Sequence, residues 1–286
     1  MSSIYRSEAG ARLLAEDYRG VLASWPVEHE RRHVPTPEGD TFVITCGPPD
    51  APAVVLLHGA GSNSALWTGR AGDLTQRFRV IAIDIIGEPG FSAPSRPPLG
   101  SDRYAAWLDA VLDVLGQRRV AIVGMSLGGW LALDYATRRP DRVDGLVLYC
   151  PGGIGRQRRW SVLGALLLTV FGDAGRRRSL SMILGPALAA MAPSEAKQVI
   201  DRMLLVSTNF RYRMGGLPVF DDETLRRLTI PMQVHLGRLD VMIDSVETHR
   251  RLDATVPHAS VTMLPDIGHL VPPQAEAELA FLNALC

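Results

Sequence analysis

The sequence predicts an α/β fold, a mostly parallel sheet with helices on both faces and a helical insertion in its second half. Short apolar, strand-like runs alternate with amphipathic segments from about 41 to 149, the pattern of successive βα units. That rhythm stops between about 151 and 214, where Gly- and Arg-rich punctuation surrounds apolar helical stretches, and it resumes at 232. With 286 residues, 47% of them hydrophobic and 21% charged, the chain can fill a substantial core. Thirty Lys and Arg balance thirty Asp and Glu, so no global field draws it to nucleic acid or an anionic membrane.

Taken in order, 9–24 reads as an amphipathic helix that breaks at Pro26, and 1–30 as an N-terminal helical extension. Strands follow at 41–46 and 53–57, separated by the turn sequence GPPDAP. The second is apolar throughout, which suits a central strand covered on both faces. A polar amphipathic segment at 68–77 leads to a strand at 80–83, a helix at 104–115 to a strand at 120–123, and a helix at 127–138 to a strand at 143–149. The inserted region carries candidate helices at 161–171, 180–192 and 194–207. Strands at 232–236 and 261–264, with a helix at 245–253 between them and a last helix at 275–285, complete the pattern.

Chemistry is most legible at Val120-Ala121-Ile122-Val123-Gly124-Met125-Ser126-Leu127-Gly128-Gly129. GxSxG between an apolar strand and a helix is the context of a nucleophile elbow: Gly124 and Gly128 relieve crowding while Ser126 stands at the tip of the turn. The competing reading is a glycine-rich turn whose serine caps the following helix. His58-Gly59-Ala60-Gly61 follows one earlier strand, and Asp84-Ile85-Ile86-Gly87-Glu88-Pro89-Gly90-Phe91-Ser92 follows the next.

Together with Asp240 and His269 in late loops, these ordered motifs make the chain resemble the alpha/beta-hydrolase family, from the HG loop to the C-terminus. The resemblance implies an alpha/beta-hydrolase core, a mostly parallel eight-stranded sheet over 31–150 and 215–286, with a helical cap insertion over 151–214. It implies a Ser126–Asp240–His269 triad in the chain order of the family. A serine hydroxyl needs a base, histidine can serve near neutral pH, and an acid orients the imidazole. Asp244 is the nearest alternative acid; Asp266 is disfavoured by its closeness in sequence to His269. The backbone N–H groups of Leu127 and Ala60 are the expected oxyanion donors, with Gly59 as alternative to Ala60. His58, Gly59, Gly61, Asp84, Gly124 and Gly128 are expected to support the site. Glu88 and Pro89 depart from the DxxGxGxS spacing of relatives.

Other signals are discounted. His29-Glu30-Arg31-Arg32-His33 matches HExxH by letter, but nearby Pro26, Pro35 and Pro37 suggest an edge strand or loop instead of the helix a zinc site requires. No phosphate loop or full dinucleotide fingerprint is present. Cys46, Cys150 and Cys286 form neither a disulfide framework nor a metal motif and read as small apolar residues or a terminal thiol. The start lacks a secretory pattern, which makes cytoplasmic the expected location. The apolar run 162–172 is 11 residues long, short of a membrane span. Met125, Trp160, Leu166, Leu167, Phe171, Met182 and Leu188 are candidate substrate contacts whose competing role is packing of the insertion.

The expected activity is cofactor-independent and metal-independent hydrolysis of a small or partly apolar carboxylic ester through an acyl-enzyme. Thioester, lactone or carbon–carbon bond hydrolysis, cofactor-free perhydrolysis and acyl transfer use the same elbow. A noncatalytic receptor or scaffold on the same fold is the alternative outside enzymology. The insertion could instead serve an oligomer interface.

Overall fold

In the computed structural model, residues 4–158, 167–168, 171–189, 191–213 and 215–286 are described. Eight strands form one sheet: β1 (His29–Val34), β2 (Thr41–Cys46), β3 (Ala53–Leu57), β4 (Arg79–Ile83), β5 (Val120–Met125), β6 (Val143–Tyr149), β7 (Met232–Gly237) and β8 (Ser260–Leu264). Their order is β1-β2-β4-β3-β5-β6-β7-β8. β2 runs antiparallel to β1 and β4, and every pairing from β4 to β8 is parallel. The inner parallel strands are buried on both faces, which is why β3 and β4 read as apolar runs, while edge strand β8 stays partly exposed. In β3, Val55 and Leu57 face one core while Val54 and Leu56 face the other, the two-residue period of a strand.

The first core is covered by α3 (Arg103–Val114) and α4 (Leu127–Arg138), which contribute Trp107, Leu108, Leu131 and Tyr135. On the opposite face lie α1 (Glu8–Ala23) and α2 (Thr68–Leu74), contributing Tyr18, Leu22, Ala71 and Leu74. The HExxH pentad lies in edge strand β1. On a strand its two histidines are separated by about 13 Å along the chain, too far to share one ion. Arg31 donates to His29 Nε2 at 2.9 Å, a local role for the pair. β1 also begins inside the expected 1–30 extension, so that boundary cuts a strand of the sheet.

Between β6 and β7 the described residues include α5 (Gly172–Leu184), α6 (Pro186–Ala189) and α7 (Pro193–Asn209). The single helix expected at 180–192 is therefore two. Gly185, at φ 45°, ends α5, and Pro186 lacks the N–H needed to continue it. The arginines 176–178 lie within α5, where punctuation was expected. The candidate helix at 161–171 falls largely outside the described residues. Leu180, Leu184 and Leu204 form a small core of their own, to which Leu188 and Leu270 add.

The chain leaves and re-enters the sheet at one neck. Phe220 N–H donates to Gly153 O at 2.8 Å, the Phe220 ring stacks on Trp130 at 5.5 Å, and Arg251 donates to both the Ile154 and Phe220 carbonyls. The N-terminus grips the end of α7: Arg6 N–H reaches Asn209 O and Arg211 N–H reaches Ile4 O, each at 2.8 Å. Among the described residues no helix is long and apolar enough to cross a membrane.

Asp84, just beyond β4, is fully buried and accepts four hydrogen bonds, from Tyr18 Oη (2.9 Å), Ser64 N–H (2.9 Å), Ser64 Oγ (2.7 Å) and Phe91 N–H (2.8 Å). It thus ties α1, the loop after β3 and the loop after β4 to one carboxylate. Removing it strands several buried donors. Asp84→Ala is expected to destabilise the fold by about 3 kcal/mol or more, read as a lowered midpoint in urea unfolding; an unchanged midpoint would refute this role.

Candidate active site

Ser126 sits between β5 and α4 with φ 52° and ψ −107°, a conformation that costs a non-glycine residue about 1–3 kcal/mol. Neighbouring backbone holds it there: its N–H donates to Tyr149 O at 2.9 Å, and its carbonyl accepts from Trp130 N–H at 2.9 Å and Gly152 N–H at 3.2 Å. The elbow is also crowded. A Cβ on Gly124 would lie 2.6 Å from Gly128 O, and one on Gly128 would run into the Leu57 carbonyl. These glycines let α4 press onto β5 and β3 so that the serine side chain stands clear.

The acid and histidine loops are locked together before they reach Ser126. Arg238 N–H donates to Leu264 O and Leu239 N–H to Ile267 O, both at 2.9 Å. A side chain on Gly237 would strike the Gly268 carbonyl. Asp240 is buried; its Oδ1 accepts from Met242 N–H (2.7 Å) and Ile243 N–H (3.0 Å), which aims Oδ2 at His269. Asp240 Oδ2 lies 2.7 Å from His269 Nδ1, and His269 Nε2 lies 3.0 Å from Ser126 Oγ. A carboxylate only accepts, so Nδ1 carries the ring proton and Nε2 is left to accept from the serine hydroxyl.

Burial of the His269 ring opposes its charged form, but the Cys150 sulfur and the Asp240 carboxylate beside it favour that form more strongly and hold it well above the ordinary imidazole range. Asp244 is otherwise engaged, capping the helix Ser245–Thr255 by accepting from Glu247 N–H at 3.0 Å, and Asp266 is exposed.

The HG loop lies against the elbow, with an ideal Cβ of Gly59 only 3.7 Å from Ser126 Cβ. His58 is fully buried, and burial holds it below the ordinary imidazole value. Its Nε2 accepts from Ile85 N–H at 2.9 Å, so the remaining ring proton on Nδ1 donates to Gly59 O at 2.8 Å. In a trans peptide the Gly59 carbonyl and the Ala60 N–H point in opposite directions. His58 therefore turns the Ala60 N–H away from itself. Among the described residues neither the Ala60 nor the Leu127 N–H has a hydrogen-bond partner; the latter opens α4, where the first amides lack intrahelical acceptors.

The family model for the alpha/beta hydrolase fold matches residues 52–173. Carboxylesterase YbfK of Bacillus subtilis is 30% identical over 273 residues, covering 92% of this chain and 89% of that protein. The chain belongs to the alpha/beta hydrolase family. It is a carboxylesterase-like enzyme, similar along nearly its whole length to the crystal structure of carboxylesterase CesB (YbfK), with a TM-score of 0.85 at 27% identity over 96% of this chain and 99% of that one. The crystal structure of the Bacillus subtilis naproxen esterase, carboxylesterase NP, matches with a TM-score of 0.80 at 26% identity over 97% and 99%.

Of the candidate contacts, Met125 is partly buried at the elbow and Leu188 packs in the α5–α7 core. Leu167 and Phe171 are 60% and 76% exposed, neither enclosed within that core. Trp160 and Leu166 lie outside the described residues, as does the side chain of Met182. Cys150, expected as a small apolar residue, is buried in the second core.

Replacing Asp240 by Asn removes a charge that favours the imidazolium. The His269 titration midpoint, followed by NMR of its ring Cε1–H, should lie above about 6.5 in the wild type and fall in D240N. Identical midpoints would show that the carboxylate does not set it.

Proposed function

We propose that this protein hydrolyses small or partly apolar carboxylic esters through an acyl-enzyme on Ser126. The observation that carries the reading is the continuous Ser126 Oγ–His269 Nε2 and His269 Nδ1–Asp240 Oδ2 chain, at 3.0 and 2.7 Å. In this scheme His269 takes the hydroxyl proton as Ser126 attacks the acyl carbonyl. Asp240 keeps the ring in its Nδ1–H tautomer and stabilises the imidazolium that forms. The Ala60 and Leu127 N–H groups receive the negative oxygen, the second aided by the positive end of α4. His269 then protonates the leaving alcohol and afterwards activates the water that releases the acid. The residues present hold and move every proton in this scheme.

Residues 151–214 serve as the cap in this reading. Support comes from the contact between α5 and the histidine loop: an ideal Cβ on Gly268 would lie 3.7 Å from Ile183 O and 3.8 Å from Leu184 O. Leu270, next to His269, packs in the same small core as Leu184 and Leu204. An apolar roof over the histidine favours an apolar acyl or alcohol group, and the likeness to a naproxen esterase supports that preference.

Initial rates on matched short and medium acyl esters, thioesters and a lactone test the reading. Acid release should be fastest on an ester and fall by about 10³-fold or more in folded S126A. Equal rates in S126A would remove Ser126 as nucleophile, and a faster thioester or lactone would reassign the acyl class. Labelling of the wild type, but not S126A, by a fluorophosphonate separates an activated serine from a binding-only protein.

The neutral form of His269 is the base. Because its pKa is raised, the ring stays protonated to higher pH. The acidic limb of kcat/KM should therefore have its midpoint above about 6.5. A limb at or below that value would contradict the assignment.

A further inference from the structure

The loop bearing Ala60 is pinned from two sides, and only one of those sides belongs to the family motif. His58 fixes the Gly59 carbonyl, which sets the peptide before Ala60. The peptide after it is set by Glu88, whose Oε2 accepts from Gly61 N–H at 2.6 Å. Glu88, with Pro89, is where the loop after β4 departs from the usual spacing, and it is only 3% exposed. Its own loop is firmly built: Gly87 N–H donates to Ala93 O at 2.8 Å and Gly90 N–H to Glu88 O at 2.8 Å. Next to the Gly61 link, Asn63 Nδ2 donates to Pro89 O at 2.9 Å.

A buried carboxyl is a costly way to satisfy one amide. Burial pushes the Glu88 carboxyl up to about 7, against the opposing pull of the Gly61 N–H and of the Arg96 and Arg213 guanidiniums. Gly61 itself is only partly buried, so water could have served its N–H. What a fixed carboxylate adds is direction. With the peptide planes on both sides of Ala60 held, its backbone has no free rotation left, and its unpartnered N–H is aimed by the two anchors together. The Tyr212 ring packs against Gly61 where a Cβ would lie.

We propose that Glu88 is a positioning residue for ester hydrolysis: through its hydrogen bond to Gly61 N–H it holds the Ala60 amide where the oxyanion forms. This rests on the Ser126 acyl-enzyme reading above. Glu88 touches neither substrate nor nucleophile in this role; it acts through the Gly61–Ala60 backbone. A misaimed donor weakens transition-state binding more than ground-state binding.

The test compares wild type, E88M, E88A, E88Q and S126A on a p-nitrophenyl ester, together with inhibition by an aryl trifluoromethyl ketone, whose serine adduct places a negative oxygen in the donor site. Methionine keeps the volume of Glu88 and removes its acceptor; glutamine keeps an acceptor oxygen. E88M should lose roughly 10- to 100-fold in kcat with KM within about threefold, and the ketone should weaken in parallel with kcat/KM. E88A should behave likewise and serves if E88M does not fold. E88Q should recover most of the loss. A kcat within threefold of wild type in the folded acceptor-free variant, a loss confined to KM, ketone affinity unchanged, or an E88Q as impaired as E88M would each overturn the proposal. In all of these outcomes S126A is inactive; an S126A as active as wild type would instead overturn the acyl-enzyme reading and this role with it.

Discussion

The strained backbone at Ser126 is the constraint around which the rest of the molecule is arranged. A residue at φ 52° and ψ −107° relaxes unless its surroundings forbid it. Here β6 supplies Tyr149 O as acceptor, Gly152 supplies a donor, and α4 begins on top of its own strand. That last arrangement requires Gly124 and Gly128, because the backbone of β3 and α4 fills the space where side chains would go. The hydrophobic burial of β3, β5 and β6 on both faces supplies the rigidity that keeps the turn sharp. Strain at one residue is thus maintained by a sheet that has no freedom to yield.

The same sheet explains why loops far apart in sequence meet. β3, β4, β5, β7 and β8 run parallel, so the loops that follow them all emerge at one edge. The loop after β3 is laced to the loop after β4 through His58 and Ile85, Gly61 and Glu88, Asn63 and Pro89, and Ser64 and Asp84. The acid and histidine loops are laced to one another by main-chain bonds. Two pairs of loops therefore flank the elbow, one bearing the Ala60 amide and the other bearing Asp240 and His269. Each pair is rigid by itself, and Ser126 stands between them.

Much of this was legible in the sequence because apolar runs and glycine-bracketed turns are local signals. The strands at 41–46, 53–57 and 143–149 agree with β2, β3 and β6, and Ser126, His269 and Asp240 are hydrogen-bonded in series. What escaped was nonlocal. The buried acceptor role of Glu88 exists only because the loop after β4 passes the loop after β3, and an extra residue in a motif says nothing about which amide it will meet. In the insertion, helix bounds slipped because apolar periodicity there is weak and the Gly185-Pro186 break outweighed it.

The neck formed by Gly153, Ile154, Phe220 and Arg251 has a consequence for how such molecules diversify. The main chain exits and returns through a hydrogen-bonded gate braced by one guanidinium and a Trp130–Phe220 stack, so the two ends of the excursion are held together at the sheet. Closure entropy rises slowly with loop length, and segments of different size or sequence can be exchanged beyond that gate at little cost to the strands beneath.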